Sequence, residues 1–100
     1  MFMVRRSKTS IAALLGEHRE ELSDLGVEGV YLFGSVARGD AGPQSDVDVF
    51  FDRRPSMGWE IVGIYERLAE LIGGKVDVVD RLGLHPRLKK RIEAEAVRVF

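Results

Sequence analysis

A chain of 100 residues, 45% hydrophobic and 31% charged, is long enough for one hydrophobic core and too short for two, so residues 1–100 are expected to form a single domain. Lysine plus arginine nearly balance aspartate plus glutamate, leaving a formal charge of −1, so no net positive field points to direct binding of nucleic acid. The absence of cysteine excludes a disulfide framework, a thiol nucleophile and the common structural zinc sites.

At the N-terminus, Met1-Phe2-Met3-Val4-Arg5-Arg6 carries no continuous apolar run after its charges. Nothing elsewhere approaches the roughly 18 apolar residues of a membrane span. These two features predict no membrane association and a cytoplasmic location. Ser7 or Thr9 is placed to cap a helix on which Ile11, Leu14, Leu15, His18, Leu22 and Leu25 recur at three- and four-residue steps, and Gly26 stops it. Val27 to Phe33, rich in β-branched and aromatic residues, reads as a strand closed by Gly34. The following stretch contains Gly39, Gly42 and Pro43, too many breakers to continue a strand.

From Asp46 to Phe51, acidic and apolar residues alternate before the run becomes wholly apolar, the pattern of a strand with two unlike faces. Arg53-Arg54-Pro55-Ser56 is expected to end it. Ile61, Ile64, Tyr65, Leu68, Leu71 and Ile72 then form one stripe of a helix from about Gly58 to Leu71, closed by Gly73-Gly74. Val76 to Val79 predicts a short strand, Pro86 the first residue of a last helix carrying Leu88 and Ile92, and Val97 to Phe100 a closing strand. This alternation of helices and strands predicts an α/β (α+β) domain: a small mixed sheet covered by helices.

The chemistry concentrates between Phe33 and Asp48. Gly34 follows a strand and precedes a single expected helical turn, so the backbone can bend sharply and present N–H groups to an anion such as phosphate. Ser35 adds a small hydroxyl donor. Asp46 and Asp48, one residue apart on a strand, project from the same face about 6 to 7 Å apart. Two bare carboxylates beside Val47, Val49, Phe50 and Phe51 need a cation, and Mg2+ bound by carboxylates and substrate phosphates suits them. Asp77, on the next strand and opposite in parity to Val76 and Val78, is placed to complete a three-acid cluster holding two metal ions.

Other polar residues divide between functional and structural readings. Arg38 either reaches a phosphate or partner or faces solvent. Asp40 is expected to close the turn, and Ser45 to start the strand or meet a phosphate. Asp52 is expected to pair at the surface with Arg53 or Arg54, and Asp80 to face away from Asp77. His18 and His85 are read as structural, without a carboxylate at a telling spacing. Arg87, Lys89, Lys90 and Arg91 fit a solvated helix face as well as a patch for RNA or an acidic partner, and Trp59, with Met57, is expected to be buried under the second long helix rather than to present an exposed apolar contact to a partner.

Gly34-Ser35, ten intervening residues, and Asp46-Val47-Asp48 resemble the signature of the DNA polymerase beta superfamily of nucleotidyltransferases. The longer string Gly-Ser-Val-Ala-Arg-Gly-Asp, Lys75-Val76-Asp77-Val78-Val79 and Arg91 to Val97 resemble its minimal nucleotidyltransferase (MNT) branch, so the likeness spans nearly the whole chain. The resemblance implies that Asp46, Asp48 and Asp77 are the catalytic and metal-binding acids, and that Gly34 and Ser35 hold the triphosphate of ATP. It further implies an antitoxin that forms a hetero-oligomer with a HEPN-domain ribonuclease toxin and transfers AMP to a tyrosine of that toxin. Two alternatives stand beside it: an antitoxin that neutralises by binding alone, and an adenylyltransferase acting on a small molecule or RNA.

Overall fold

In the computed structural model, residues 7–42 and 45–100 are described; the N-terminal residues Phe2, Met3 and Val4 and the breaker Pro43 lie outside them. Ser7 opens the first helix, α1 (Lys8–Glu17), its hydroxyl accepting the Ser10 N–H at 3.2 Å. The single helix expected to reach Gly26 is instead two, because the chain breaks at His18 and restarts as α2 (Arg19–Leu25). His18 leaves helical geometry at φ −103° and ψ 15°, and its ring meets the Glu21 carboxylate at 2.9 Å, so this histidine does have an acidic partner. The break turns the apolar stripe: Ile11, Leu15 and Leu22 are buried, whereas Leu25 is exposed.

Gly26 ends α2 in the left-handed region and the chain enters β1 (Val27–Phe33). A short helix, α3 (Gly34–Arg38), leads to β2 (Val47–Arg53), which runs two residues beyond the expected Phe51. Next come α4 (Ile61–Ile72), β3 (Val76–Asp80), a 3-10 turn at Arg81–Gly83, α5 (Pro86–Glu95) and β4 (Val97–Arg98). α4 starts three residues later than its stripe suggests, since the amides of Ile61, Val62 and Gly63 bond three residues back, to Gly58, Trp59 and Glu60. That tight turn carries Trp59 outward; it is 84% exposed, against the expectation of burial.

The sheet is mixed, in the order β3-β2-β1-β4: β1 is antiparallel to β2 and β4, and β2 is parallel to β3. Backbone bonds between Val30 and both Val99 and Phe100 carry the β1–β4 pairing past Arg98. Alternation along β1 and β2 divides the side chains. Val30, Leu32, Val47, Val49 and Phe51 pack beneath Ile11, Leu15, Leu22, Ile64, Leu68 and Ile72 of α1, α2 and α4. Phe33 and Phe50 turn to the other face and pack with Leu84, Tyr31, Val79, Ile92 and Ala96, so α5 covers that face. Its Leu88 remains 49% exposed. Among the described residues, no helix is long and apolar enough to cross a membrane.

Candidate active site

The acids expected to do chemistry lie on the α5 side of the sheet, because Asp48 has the parity of Phe50 and Asp77 that of Val79. In the parallel β2–β3 register, Asp48 stands directly opposite Asp77. In the antiparallel β1–β2 register, it stands opposite Phe33, the last residue before Gly34. Two strand pairings therefore bring Gly34, Asp48 and Asp77 together from three separate stretches of chain.

Gly34 has φ +71°, and a Cβ there would collide with the Asp48 carboxylate. Both the backbone angle and the space demand glycine. The consequence is that the Asp48 carboxylate lies against the backbone at the start of α3. Ser35 follows as a half-buried residue of the same turn. Arg38, at the end of α3, directs Nε to Asp40 at 3.3 Å and Nη1 to Glu95 at 3.5 Å. Asp40 also closes the turn through its own N–H to Ser35 O at 3.1 Å, and Ser45 Oγ accepts the Gly42 N–H at 2.9 Å, both structural roles.

Burial is the main reason the Asp48 carboxyl sits above the usual carboxylate range; the neighbouring charges of Asp77 and Asp46 push it further, Arg38 opposes them, and Glu95 adds to the rise. Asp77 stands across the register from Asp48, and Glu95 and Arg38 meet beside Gly34, whose backbone the Asp48 carboxylate abuts. Asp46 falls one residue before β2 rather than on it, and is exposed. Among the described residues, no three His, Cys, Asp or Glu side chains converge closely enough to hold a metal ion. Asp48 and Asp77 thus face each other across the register, with Asp46 just outside the strand, without closing into a three-acid cage among the described residues. The donor set nevertheless fits Mg2+, a hard cation commonly bound by one or two carboxylates with substrate phosphates supplying the rest. Asp48 with Asp46 or Asp77 meets that requirement.

Glu95 escaped the sequence reading. The Gly34 N–H donates to its Oε1 at 3.4 Å, and Arg38 Nη1 lies 3.5 Å from the same oxygen. The other weighed residues do not join the site. Asp80 is buried, takes Arg53 Nε at 2.7 Å and caps the 3-10 turn through the Leu82 N–H. Asp52 pairs with Arg81 at 2.7 Å rather than with Arg53 or Arg54, which look to Asp80 and to the Asp24 carbonyl. His85 Nδ1 accepts the Arg87 N–H at the start of α5.

Several known proteins resemble the chain. It is 35% identical over 92 residues to the protein adenylyltransferase MntA of Thermococcus cleftensis, covering 89% of this chain and 92% of that one. A solved structure assigned to the minimal nucleotidyltransferases superposes with a TM-score of 0.67 at 32% identity, over 86% of this chain and 93% of the other. The MNT antitoxin complexed with a tri-AMPylated HEPN toxin of Shewanella oneidensis shares the fold, with a TM-score of 0.60 at 18% identity over 89% of this chain and 71% of that one. The family model of the nucleotidyltransferase domain matches residues 15–99, a span that contains Gly34, Ser35, Asp46, Asp48, Asp77 and Glu95, and the chain belongs to that family of nucleotidyltransferases.

Proposed function

We propose that this chain transfers AMP from ATP, with Mg2+, to a tyrosine hydroxyl of a HEPN-type ribonuclease partner, acting as the cytoplasmic antitoxin of a toxin–antitoxin pair. The observation that carries the reading is the juxtaposition of the Gly34 backbone with the Asp48 carboxylate, with Asp77 across the β2–β3 register and Arg38 at the end of the same turn. Anion donors and acids side by side suit a phosphate that carries its own cation. The names of the relatives support the acceptor class: one is a protein adenylyltransferase, and another is an MNT antitoxin bound to an AMPylated HEPN toxin.

In this reading Gly34 and Ser35 hold the triphosphate, Arg38 offsets its charge, and Asp46 and Asp48 hold Mg2+. Asp77 faces the acceptor and takes the hydroxyl proton as the tyrosine oxygen bonds to the α-phosphorus. The bond from that phosphorus to the β-phosphate bridging oxygen breaks, and pyrophosphate leaves. Bound Mg2+ would neutralise phosphate charge and lower the pKa of the attacking hydroxyl.

The test is the intact mass of a co-purified HEPN-type partner after incubation with ATP and Mg2+. The expected result is a gain of one or more AMP units on a tyrosine, absent when Asp48→Asn replaces the wild-type chain. An unmodified partner that is still neutralised, by the wild type and by an Asp46→Asn, Asp48→Asn double variant alike, would make binding alone the mode of action.

A further inference from the structure

The donors assigned to the triphosphate are already engaged by an anion of the chain itself. Gly34 N–H and Arg38 Nη1 converge on one oxygen of Glu95, 61 and 57 residues away in sequence. A carboxylate oxygen, like a phosphate oxygen, is an anionic acceptor for these donors. Both contacts, at 3.4 and 3.5 Å, are longer than the 2.7 to 2.9 Å usual for charge-assisted bonds, so the carboxylate rests in the position without being clamped there. Glu95 is also one of the like charges acting on Asp48.

Among the described residues, the polar contacts of the Glu95 carboxylate are all with α3. Glu95 closes α5 one residue before the Ala96 cap, and no other side-chain partner of its carboxylate is seen among the described residues. Glu93, two residues earlier, is engaged elsewhere, by Arg81 Nη1 at 2.7 Å. The two glutamates of one helix end thus differ in kind: Glu93 fastens α5 to the sheet, while Glu95 points its charge at the turn that receives phosphate.

We propose that Glu95 is an internal placeholder for a phosphate group: it occupies the Gly34–Arg38 anion position in the free protein, keeps Arg38 aimed there, and must be displaced when the triphosphate binds. This deepens the nucleotidyltransferase reading and rests on it. A residue that served only packing would leave polyphosphate affinity unchanged or weaken it on removal. A placeholder competes with the ligand, so loss of its charge tightens binding.

The experiment measures binding of ATP, of tripolyphosphate and of adenosine, each with Mg2+, by calorimetry on the wild type, Glu95→Gln and Glu93→Gln. Glutamine keeps the size of the side chain and removes its charge. The expected result is an affinity about two- to fivefold higher for ATP and for tripolyphosphate in Glu95→Gln, the range for release of a partly exposed ion pair. Adenosine binding should be unaltered, and Glu93→Gln should match the wild type. Wild-type affinity, or weaker, for ATP and tripolyphosphate in a folded Glu95→Gln would overturn the placeholder while leaving the functional reading standing. Failure of the wild type and of both variants to bind ATP would overturn that reading and the placeholder with it.

Discussion

The ionised Asp48 carboxylate is held at the expense of stability. Burial and the charges of Asp77 and Asp46 raise its pKa above the ordinary 3.8, and Arg38 offsets them only in part. The sign of the linkage follows: a carboxyl with a raised folded-state pKa favours the fold below its unfolded value, and that contribution is lost as pH rises through the folded value. At neutral pH the ionised side chain therefore works against folding. Asp48→Asn, nearly identical in shape, is expected to raise Tm by about 2 to 5 °C at pH 7 while abolishing transfer. The gain should shrink as pH falls through the raised pKa, where the wild-type carboxyl is itself protonated. A lower Tm for the variant across the whole range would mean that the carboxylate is held by favourable contacts in the free protein.

At the scale of elements, one arginine joins the polar side of α5 to the sheet. Arg81 pairs with Asp52 of β2 and Glu93 of α5, each at 2.7 Å, and its guanidinium lies 4.6 Å from the Tyr31 ring centroid and 4.9 Å from that of Phe50. Arg81→Ala leaves two half-buried carboxylates without their cation and should cost about 1 to 3 kcal/mol, read as a lower urea midpoint. Hydrogen exchange should quicken first in the α5 amides after Pro86; an unchanged midpoint would show that α5 is held by the packing of Ile92 and Ala96 and by the Glu95 contacts to α3. Arg81 also marks where sequence reading ends. The approach of Gly34 to Asp48 was legible because both lie within one short stretch, and that of Asp77 because strand parity decides which way it faces. Partners set by docking were not: Asp52 meets an arginine 29 residues on, and Glu95 a glycine 61 residues back. The break at His18 escaped for a different reason, since neither glycine nor proline marks it, and Trp59 because a tight turn before α4 overrides the pull toward burial.

The whole molecule is a thin slab, 37 × 35 × 19 Å, with the helices α1, α2 and α4 on one face and α5 on the other. Its formal charge of −1 hides a local imbalance, because Asp46, Asp48, Asp77 and Glu95 gather around one end of the parallel strand pair. Such a site holds like charges together at the expense of the fold, and a bound cation with its nucleotide reverses the sign of that contribution. A ligand seen only by the folded state stabilises by mass action, about 2.7 kcal/mol at a hundredfold excess over Kd. For a domain of this length that corresponds to a rise in Tm of about 10 to 20 °C. Mg2+ with ATP should therefore produce a large shift, Mg2+ alone a small one, and Asp48→Asn should lose most of both, although it starts from a more stable free state. The opposed directions make the comparison decisive. A variant that begins higher and gains little separates a cation site from a merely strained carboxylate, whereas equal gains in both proteins would move the nucleotide away from Asp48.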